Sequence, residues 1–391
     1  MDRRAFVRLV GGGSVVAAGM AVAGCSGDFP PRAVAAWAGP GAAEEARHWA
    51  LGYAILAPNS HNRQPWLVDL REANAITLYV DRERMLPETD PWFRQIVVSH
   101  GTFLELLVMA LKERGIEPRV QLFPEGEFAA RTVDARPVAR VEWAPGAPAP
   151  SKDPLFAQIL KRHTAKVDYD TSRPVTPDVL QALASVLTVR PEAGLHFDGT
   201  VEPARVDALR TLCIDSARVE LLTPRTLMES LRLTRVGPEE IARHRDGISL
   251  NAPMLRALDA VGLFDRTRPP PEGSAAYKNM MARFEGHSRT AMGFVWLSTD
   301  TSAQGTRSAE VGAGRAYVRQ QLKATELGLQ MHPMSQAPQE FAEMKVHYDR
   351  LHQLTLGKPA REETVQLFSR IGYAADTQHT PRRGVAAIIM S

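Results

Sequence analysis

The run APGAPAP at residues 144–150 constrains the fold of this chain more than any other feature, because it divides the chain into two parts. Proline and alanine at this density interrupt regular structure and predict a linker. On either side of it, apolar patterns with helical spacing alternate with short strand patterns. We therefore predict an α+β fold, with α/β as the alternative, in which one chain carries two pseudo-duplicated halves at 44–150 and 151–391.

The spacing of apolar residues predicts most of the individual elements. Helices are predicted at 44–57, 95–114, 154–160, from about 176, at 203–222, 224–233 and 309–327, and near 361–370. Strands are predicted at 65–70, 75–80, 119–123, 137–143, 294–298 and 385–390. Residues 266–290 contain the prolines Pro269–Pro271 and several Met and aromatic residues. A segment of this kind in a globular domain favours a lid or an extended arm.

The composition is that of a globular protein. Hydrophobic residues make up 44% of the 391 residues and charged residues 23%, a balance that can supply a sizeable core. The net charge is +3, and residues 1–24 hold three arginines against one aspartate, so that their removal leaves about +1. No basic surface for nucleic acid remains, and nucleic acid is therefore excluded as a partner.

The first 25 residues are typical of an export signal. Arg3 and Arg4 precede a Gly/Ala-rich run that ends at Cys25 and is too short and too weakly apolar to span a membrane. The paired arginines favour the twin-arginine export machinery. Residues 22–25 (VAGC) are similar to a lipoprotein box, in which Cys25 would be acylated as a lipid anchor; the alternative is an incidental small residue. We predict an exported protein of the periplasm or cell envelope, with 26–43 as a flexible tether.

Two polar segments stand out in the remainder of the chain. The first is PNSHNRQPW at 58–66, and the second is LKRHTAK at 160–166. Each alone has an ordinary explanation, the first as a turn before a strand and the second as a surface segment with a helix cap. Together they resemble the "PSSxNxQPW" and "RHSxK" motifs of the nitroreductase family. Residues 316–336 and 380–383 resemble that family's helix and loop beside the flavin and its basic residues at the phosphate.

The resemblance implies a single FMN site assembled from these segments. The cofactor-binding residues that it implies are Asn59, Ser60, Asn62, Gln64, Arg162, His163, Thr164, Lys166, Pro333, Met334, Ser335, Gln336, Arg382 and Arg383. No catalytic protein residue is predicted, because the resemblance implies that the chemistry occurs on the flavin.

The chemistry of an FMN phosphate agrees with the residue types in this set. A phosphate dianion requires guanidinium or ammonium groups, which Arg162 together with Arg382 or Arg383 could supply through charge-assisted hydrogen bonds. The hydroxyls of Ser60 and Thr164 suit the phosphate or the polyol.

The flavin ring has different requirements. The side chain of Asn62 can donate and accept hydrogen bonds at once, as the amide-like ring edge requires, and Lys166 would stabilise the negative charge that this edge gains on reduction. The loop at 333–336 would present backbone groups to the ring nitrogen that receives hydride. The family usually has an acidic residue and a glycine where this chain has Ser335 and Gln336.

The two halves lack complementary parts of this site. The first half has the QPW segment without an Arg-His-Thr segment before it, whereas the second has Arg-His-Thr but only VLTVRPEAGLH at 186–196. One chain therefore imitates a dimer, and we expect one FMN per chain and a monomer. This fused layout resembles the Acg-like branch of the superfamily.

Three functions are compatible with these features. The first is an FMN-dependent oxidoreductase that transfers hydride from a small-molecule electron donor to a flat acceptor such as a nitroaromatic or a quinone. Nicotinamide cofactors are scarce outside the cytoplasm, so an exported enzyme would need another donor. The second is a flavin-sequestering or storage protein whose lid covers the ring and prevents turnover. The third is a non-catalytic surface lipoprotein.

Two further kinds of site are disfavoured by the sequence. His61, His163 and His332 invite a metal site, but their spacing fits no known ligand pattern, and no metal is predicted. Ser60 beside His61 suggests a hydrolase, yet the chain has no nucleophile elbow. Cys213 lies in an apolar stretch and is predicted to pack as a small hydrophobic residue.

Overall fold

The computed structural model describes residues 27–42, 45–187, 194–300 and 306–391. The predicted export signal and Cys25 lie outside these residues. The helices are α1 (Pro31–Val34), α2 (Ala46–Ala54), α3 (Arg94–Glu113), α4 (Pro177–Ser185), α5 (Pro203–Leu222), α6 (Pro224–Arg232), α7 (Gly237–His244), α8 (Pro253–Ala260), α9 (Ala275–Arg289), α10 (Thr306–Glu326) and α11 (Lys345–Leu356). The strands are β1 (Trp66–Asp69), β2 (Ala75–Val80), β3 (Arg119–Leu122), β4 (Ala139–Glu142), β5 (Leu195–Thr200), β6 (Thr234–Val236), β7 (Ile248–Leu250), β8 (Gly293–Asp300), β9 (Gln330–Pro333) and β10 (Glu363–Gly372).

Two four-stranded antiparallel sheets form the framework. The first has the order β1-β2-β4-β3 and lies before the linker, and the second has the order β5-β8-β10-β9 and lies after it. Strands β6 and β7 form a separate parallel pair. Antiparallel sheets packed against helices confirm the predicted α+β class. The sheet and long helix in each part of the chain are consistent with a duplicated plan.

The long helices of the two parts, α3 and α10, cross in direct backbone contact. A Cβ atom at Gly101 would lie 2.1 Å from Val311 O, and one at Gly314 would lie 2.0 Å from Val98 O. The crossing is reinforced by the buried carboxylate of Glu105, which accepts hydrogen bonds from two arginines of α10. Because only glycine permits this approach, the sequence fixes where the two parts meet.

Helix α3 is an apolar core helix. It is long and apolar enough to cross a membrane by length and composition alone, but 89% of its apolar stretch is buried inside the protein. Its side chains pack with Trp66, Leu78 and Val318 in the largest hydrophobic core. The same apolar character is therefore explained by burial between the first sheet and α10.

The predicted helix near 361–370 is wrong, because these residues form β10 at the centre of the second sheet. Val365, Phe368 and Ile371 are all buried and lie three residues apart, which is a helical spacing. A register shift between Val365 and Leu367 changes which residues face each side of the strand. A β-bulge of this kind disrupts the alternation by which a strand is normally recognised.

The predicted closing strand at 385–390 is also only partly present. Residues Val385–Ala387 form a single 3₁₀ turn, and Ile389 then makes one parallel bridge to Val68 of β1. The backbone N–H of Val68 donates to Ile388 O at 2.8 Å, and Met390 N–H donates to Val68 O at 2.8 Å. The C-terminus is thereby attached to the edge of the first sheet.

The described part of the predicted flexible tether is folded, which corrects that prediction. Helix α1 and a 3₁₀ turn at Ala35–Ala38 follow the first described residues, and Trp37 is 8% exposed. Phe29 N–H donates to the side chain of Gln378 at 2.9 Å, and Asn251 donates to the carbonyl of Asp28 at 2.6 Å. We call residues 27–38 the N-terminal strap, because they are bound to distant parts of the chain.

Candidate functional site

A cavity of about 380 Å³ lies where the two parts of the chain meet. This volume is within the range of small-molecule sites. Twelve of the fourteen residues predicted for cofactor binding line it: Asn59, Ser60, Asn62, Arg162, His163, Thr164, Lys166, Pro333, Met334, Ser335, Gln336 and Arg382. The structure therefore brings the four sequence segments to one place.

The loop at 59–64 has an unusual backbone. His61, Asn62 and Gln64 have φ values of 48°, 50° and 50°, in the left-handed region that residues other than glycine rarely adopt. The loop is held by Gln64 N–H, which donates to Asn59 Oδ1 at 2.7 Å, and by Ser60 Oγ, which donates to Gln95 at 3.0 Å. Backbone strain maintained in this way is common at ligand sites.

Three distant segments converge beside this loop through two arginines. Arg382 donates to Asn62 Oδ1 at 2.8 Å and to the carbonyl of Leu56 at 3.2 Å. Arg162 donates to the same Leu56 carbonyl at 2.8 Å and to the side chain of Gln321 at 3.0 Å. The Gln321 amide in turn donates to Thr164 Oγ1 at 3.0 Å. Two guanidinium groups and one hydroxyl are therefore positioned at the same end of the cavity.

This end of the cavity carries positive charge without a counter-ion. Arg162 is 2% exposed and Arg382 is 4% exposed, and within the described residues neither forms an ion pair with a carboxylate. The Nε atom of each is buried without a hydrogen-bond partner there. Burial lowers the pKa of Arg162 to about 10, and burial together with Arg162 lowers the pKa of Arg382. Because burying unpaired charges is costly, this arrangement favours binding of an anion.

The N-terminal strap covers the same arginine pair. The guanidinium carbons of Arg162 and Arg382 lie 5.3 Å and 5.2 Å from the centre of the Trp37 ring. The ring also stacks on His379 at 4.1 Å, and its indole N–H donates to Thr380 O at 2.9 Å. Sequence reasoning missed Trp37, although a lone Trp in a Pro/Gly/Ala-rich segment was a visible signal. His163, which lines the cavity here, meets His379 edge to face.

A second group of cations lies further along the cavity. Lys166 and Arg283 both line it, and burial lowers the pKa of each. The pKa of Lys166 falls to about 8, with a smaller contribution from Arg283. The Lys166 side chain keeps solvent-accessible surface and lines the cavity. Its pKa is lowered because protein surrounds the cavity. His332, also on the wall, has a pKa lowered by burial and by Arg370, which donates to its Nδ1 at 3.0 Å.

The loop at 333–336 begins at the end of β9. Met334 N–H donates to Phe368 O at 2.8 Å, which ties the loop to β10, and the Met334 side chain is 3% exposed. Ser335 and Gln336 face the cavity. Gln336 also hydrogen-bonds to Glu220, and burial raises the pKa of this carboxyl to about 7. Glu220 is the cavity-lining carboxyl in the described chain, and sequence reasoning missed it.

Gln64 and Arg383 were predicted to contact the cofactor, but they do not line the cavity. Gln64 is fully buried, accepts a hydrogen bond from Arg383 N–H at 2.8 Å and donates to Arg245 O at 2.8 Å. The Arg383 side chain donates to the carbonyl of Ala387 at 2.6 Å. These residues support the loop from behind, because their polar groups are used in protein contacts.

The histidines of the cavity form no metal site in the described residues, where no group of three or more His, Cys, Asp or Glu side chains could hold an ion. His287 and His332 meet edge to face with ring centroids 5.4 Å apart. Cys213 is a free, buried thiol in the core beside the second sheet.

Comparison with known proteins finds sequence similarity to proteins that are named as NAD(P)H nitroreductases. No family model matches the chain. The Rv3131 protein of Mycobacterium tuberculosis, named as an NAD(P)H nitroreductase, is 25% identical over 87% of this chain and 89% of its own length. The Acg protein of the same organism, similarly named, is 27% identical over 47% of this chain. The chain spans about half (49%) of the length of Acg in that match.

Two solved structures of nitroreductases match about 60% of this chain. One is from Bacteroides fragilis, with 15% identity, coverage of 60% of this chain and 97% of the other, and a TM-score of 0.34. Another is NfnB from Mycobacterium smegmatis in complex with NADPH, with 15% identity, coverage of 59% and 94%, and a TM-score of 0.36.

Proposed function

We propose that this protein is an exported FMN-dependent oxidoreductase of the nitroreductase type that reduces flat electrophiles such as nitroaromatics or quinones. The observation that carries the proposal is the buried arginine pair, Arg162 and Arg382, whose charges meet at one end of a cavity without a carboxylate partner in the described chain. A phosphate monoester dianion would neutralise both.

The residues present fit FMN. The unpartnered Nε atoms of Arg162 and Arg382 are buried donors that a phosphate oxygen could accept from, and Thr164 offers a hydroxyl beside them. Asn62 would bind the polyol or the ring edge from the strained loop. Lys166 would stabilise negative charge on the ring.

Bound FMN would supply the hydride-transfer chemistry between an electron donor and the electrophile. The protein would hold the phosphate, orient the ring and exclude water. The loop at 333–336 would provide backbone groups beside the ring, and its attachment to β10 through Met334 keeps it in place. The carboxyl of Glu220, with a pKa of about 7, and the ammonium of Lys166, with a pKa of about 8, are two groups on the cavity wall that could exchange a proton near neutral pH.

We further propose that one chain does the work of a dimer and acts as a monomer. The loop at 59–64 comes from the first part of the chain and Arg162 from the second, and both contact the same cavity. The same proposal includes twin-arginine export to the periplasm or cell envelope, with Cys25 as a lipid anchor. An electron donor other than a free nicotinamide nucleotide would serve the protein there.

A second function is favoured by α9, which lies along the cavity with Met280 and Phe284 on its wall. This helix belongs to the segment predicted as a lid. If it stays closed over the ring, the protein would hold or store FMN without turnover.

The test is an absorption spectrum of the purified protein, followed by anaerobic addition of NADPH, then of the quinol menadiol, and then of dithionite. A flavin spectrum that NADPH or menadiol bleaches supports the oxidoreductase. A flavin spectrum that only dithionite bleaches supports storage. A colourless protein that does not bind added FMN overturns both functions.

A further inference from the structure

The cation that the proposed cofactor leaves unused is Arg283, on the inner face of α9. The phosphate end accounts for Arg162 and Arg382, and Lys166 is assigned to the ring edge. Within the described residues Arg283 has no ion pair and no hydrogen bond to a side chain or carbonyl, although it lines the cavity. Burial lowers the pKa of the Arg283 guanidinium.

The spacing along α9 shows how this guanidinium is presented. Met280, Arg283, Phe284 and His287 all line the cavity and stand at positions i, i+3, i+4 and i+7. Residues at this spacing share one face of a helix. The lining face of α9 therefore combines two apolar side chains with one free cation.

Apolar side chains of a second helix lie beside this face. Leu227 and Leu231 of α6 line the cavity and belong to a hydrophobic cluster against which Met280 and Phe284 pack. Phe264, from the segment before α9, completes this part of the lining. A ligand here would bury flat apolar surface and meet a single guanidinium, which binds carboxylates in a planar, bidentate manner.

We propose that the electron acceptor is a flat aromatic acid, and that Arg283 binds its carboxylate. This inference rests on the proposed function, because it names the class of acceptor for the same cavity. A phosphate of a nicotinamide nucleotide donor shares the oxyanion chemistry. The aromatic acid is preferred because the apolar side chains of Met280, Phe284 and Leu231, which line the cavity together, would bury a flat ring.

The experiment measures binding to the oxidised protein by calorimetry, with added FMN and at constant ionic strength. The probes are 4-nitrobenzoate, the neutral isostere 4-nitrobenzamide, and 2′,5′-ADP as a phosphorylated nucleotide. We expect the wild-type protein to prefer the carboxylate over the amide by about ten-fold or more, as a charge-assisted bond provides. Arg283→Met should reduce the preference to less than about two-fold, and Arg283→Lys should keep part of it.

The matched control is Arg289→Met on the same helix, where the arginine side chain is 67% exposed and outside the cavity lining. It should retain the full preference. Arg283→Gln replaces Arg283→Met if the latter loses its circular dichroism spectrum. Equal affinity of the wild-type protein for the two nitro compounds would overturn the inference, as would Arg283-dependent binding of 2′,5′-ADP alone.

The same samples separate this inference from the proposed function. FMN binding is followed by its absorption spectrum, and a protein that takes up no FMN contradicts the oxidoreductase. The preference for 4-nitrobenzoate over 4-nitrobenzamide is measured by calorimetry in every sample. Whether Arg283→Met keeps or loses this preference decides the inference, independently of FMN binding.

Discussion

Arg382 donates a hydrogen bond to Asn62 Oδ1 across 2.8 Å, although 320 positions separate the two residues. The Asn62 amide returns a bond to Pro381 O at 3.0 Å. The C-terminal segment is thereby locked to the strained loop of the first part of the chain. The basic end of the cavity exists only in the complete fold, because its two arginines and its loop come from three separate segments.

Replacing Arg162 with Ala should weaken FMN binding by about 1.5–3 kcal/mol, the value of a charge-assisted hydrogen bond. The reason is that Arg162 supplies one of the two buried charges at the proposed phosphate end. The measurement is a fluorescence titration of the apo protein with FMN.

Riboflavin, which lacks the phosphate, provides the control ligand for this variant, and its affinity should change little. Arg361→Ala is the control substitution, since the Arg361 side chain is 84% exposed. An unchanged FMN affinity in Arg162→Ala would remove this arginine from the site.

Replacing Trp37 with Ala should lower the thermal stability and speed the release of FMN. The indole covers both cavity arginines, and removing a buried Trp typically costs about 3–5 kcal/mol in a core, with cation–π contacts adding about 0.5–1 kcal/mol each. Differential scanning fluorimetry and the dissociation rate after dilution would measure the two effects.

Trp37→Phe should have a smaller effect, because it keeps a ring over the guanidinium groups and loses only the bond to Thr380 O. If Trp37→Ala releases FMN at the wild-type rate, the N-terminal strap does not help to retain the cofactor.

Gly314→Ala should destabilise the fold, because the added Cβ would lie 2.0 Å from Val98 O. Overpacking usually costs about 1–3 kcal/mol, which here exceeds the gain of about 1 kcal/mol that Ala brings to a helix interior. Gly101→Ala should behave in the same way. Urea unfolding gives the free energies, and Gly41→Ala, with no atom within 4 Å of its added Cβ, is the control. Wild-type stability in both helix variants would show that α3 and α10 do not meet through these glycines.

His61 and His379 should each make the apo protein less stable as the pH falls below about 6.5. Burial, with Lys166 and Arg63 nearby, lowers the pKa of His61 to about 4, and burial with His163 does the same for His379. Between pH 6.5 and about 4 these two histidines bind more protons in the unfolded chain than in the folded one. Their contribution to the free energy of unfolding therefore decreases with decreasing pH in this window and is fully retained above it.

His61→Asn should reduce this pH dependence, and Asn tolerates the positive φ of 48° at this position. The measurement is urea unfolding at about pH 7 and about pH 5. The exposed His244, replaced by Asn in the same way, is the control. If the free energy of unfolding changes equally between about pH 7 and about pH 5 in the wild type and in His61→Asn, His61 is not buried in its neutral form.

Helices and strands with regular patterns could be predicted from the sequence. Helix α3 was expected at 95–114 and lies at Arg94–Glu113, and β2 was expected at 75–80 and found there. Helix α11 and strands β5 and β9 were missed. Strand β9 is four residues long and ends in Pro333, which resembles a loop, and β5 contains Gly199 and several polar residues.

The candidate site could be predicted where a residue of suitable chemistry lies within a recognisable motif. The grouping of Asn62, Arg162, Lys166 and Arg382 followed from the motifs. Arg283 and Glu220 could not be recognised, because only the packing of α9 and α5 places them on the cavity wall. Trp37 was assigned to a tether by composition, whereas its contacts with residues far along the chain determine its position.

The glycine-mediated contact between α3 and α10 also limits how a ligand reaches the cavity. Two helices in backbone contact at Gly101 and Gly314, with Glu105 bound to arginines across the seam, leave little freedom for the two sheets to swing apart. We therefore expect ligand entry and release to depend on movement of the N-terminal strap or of α9, which both contribute to the cavity lining. A crosslink that holds either element in place should slow the release of a ligand bound in the cavity.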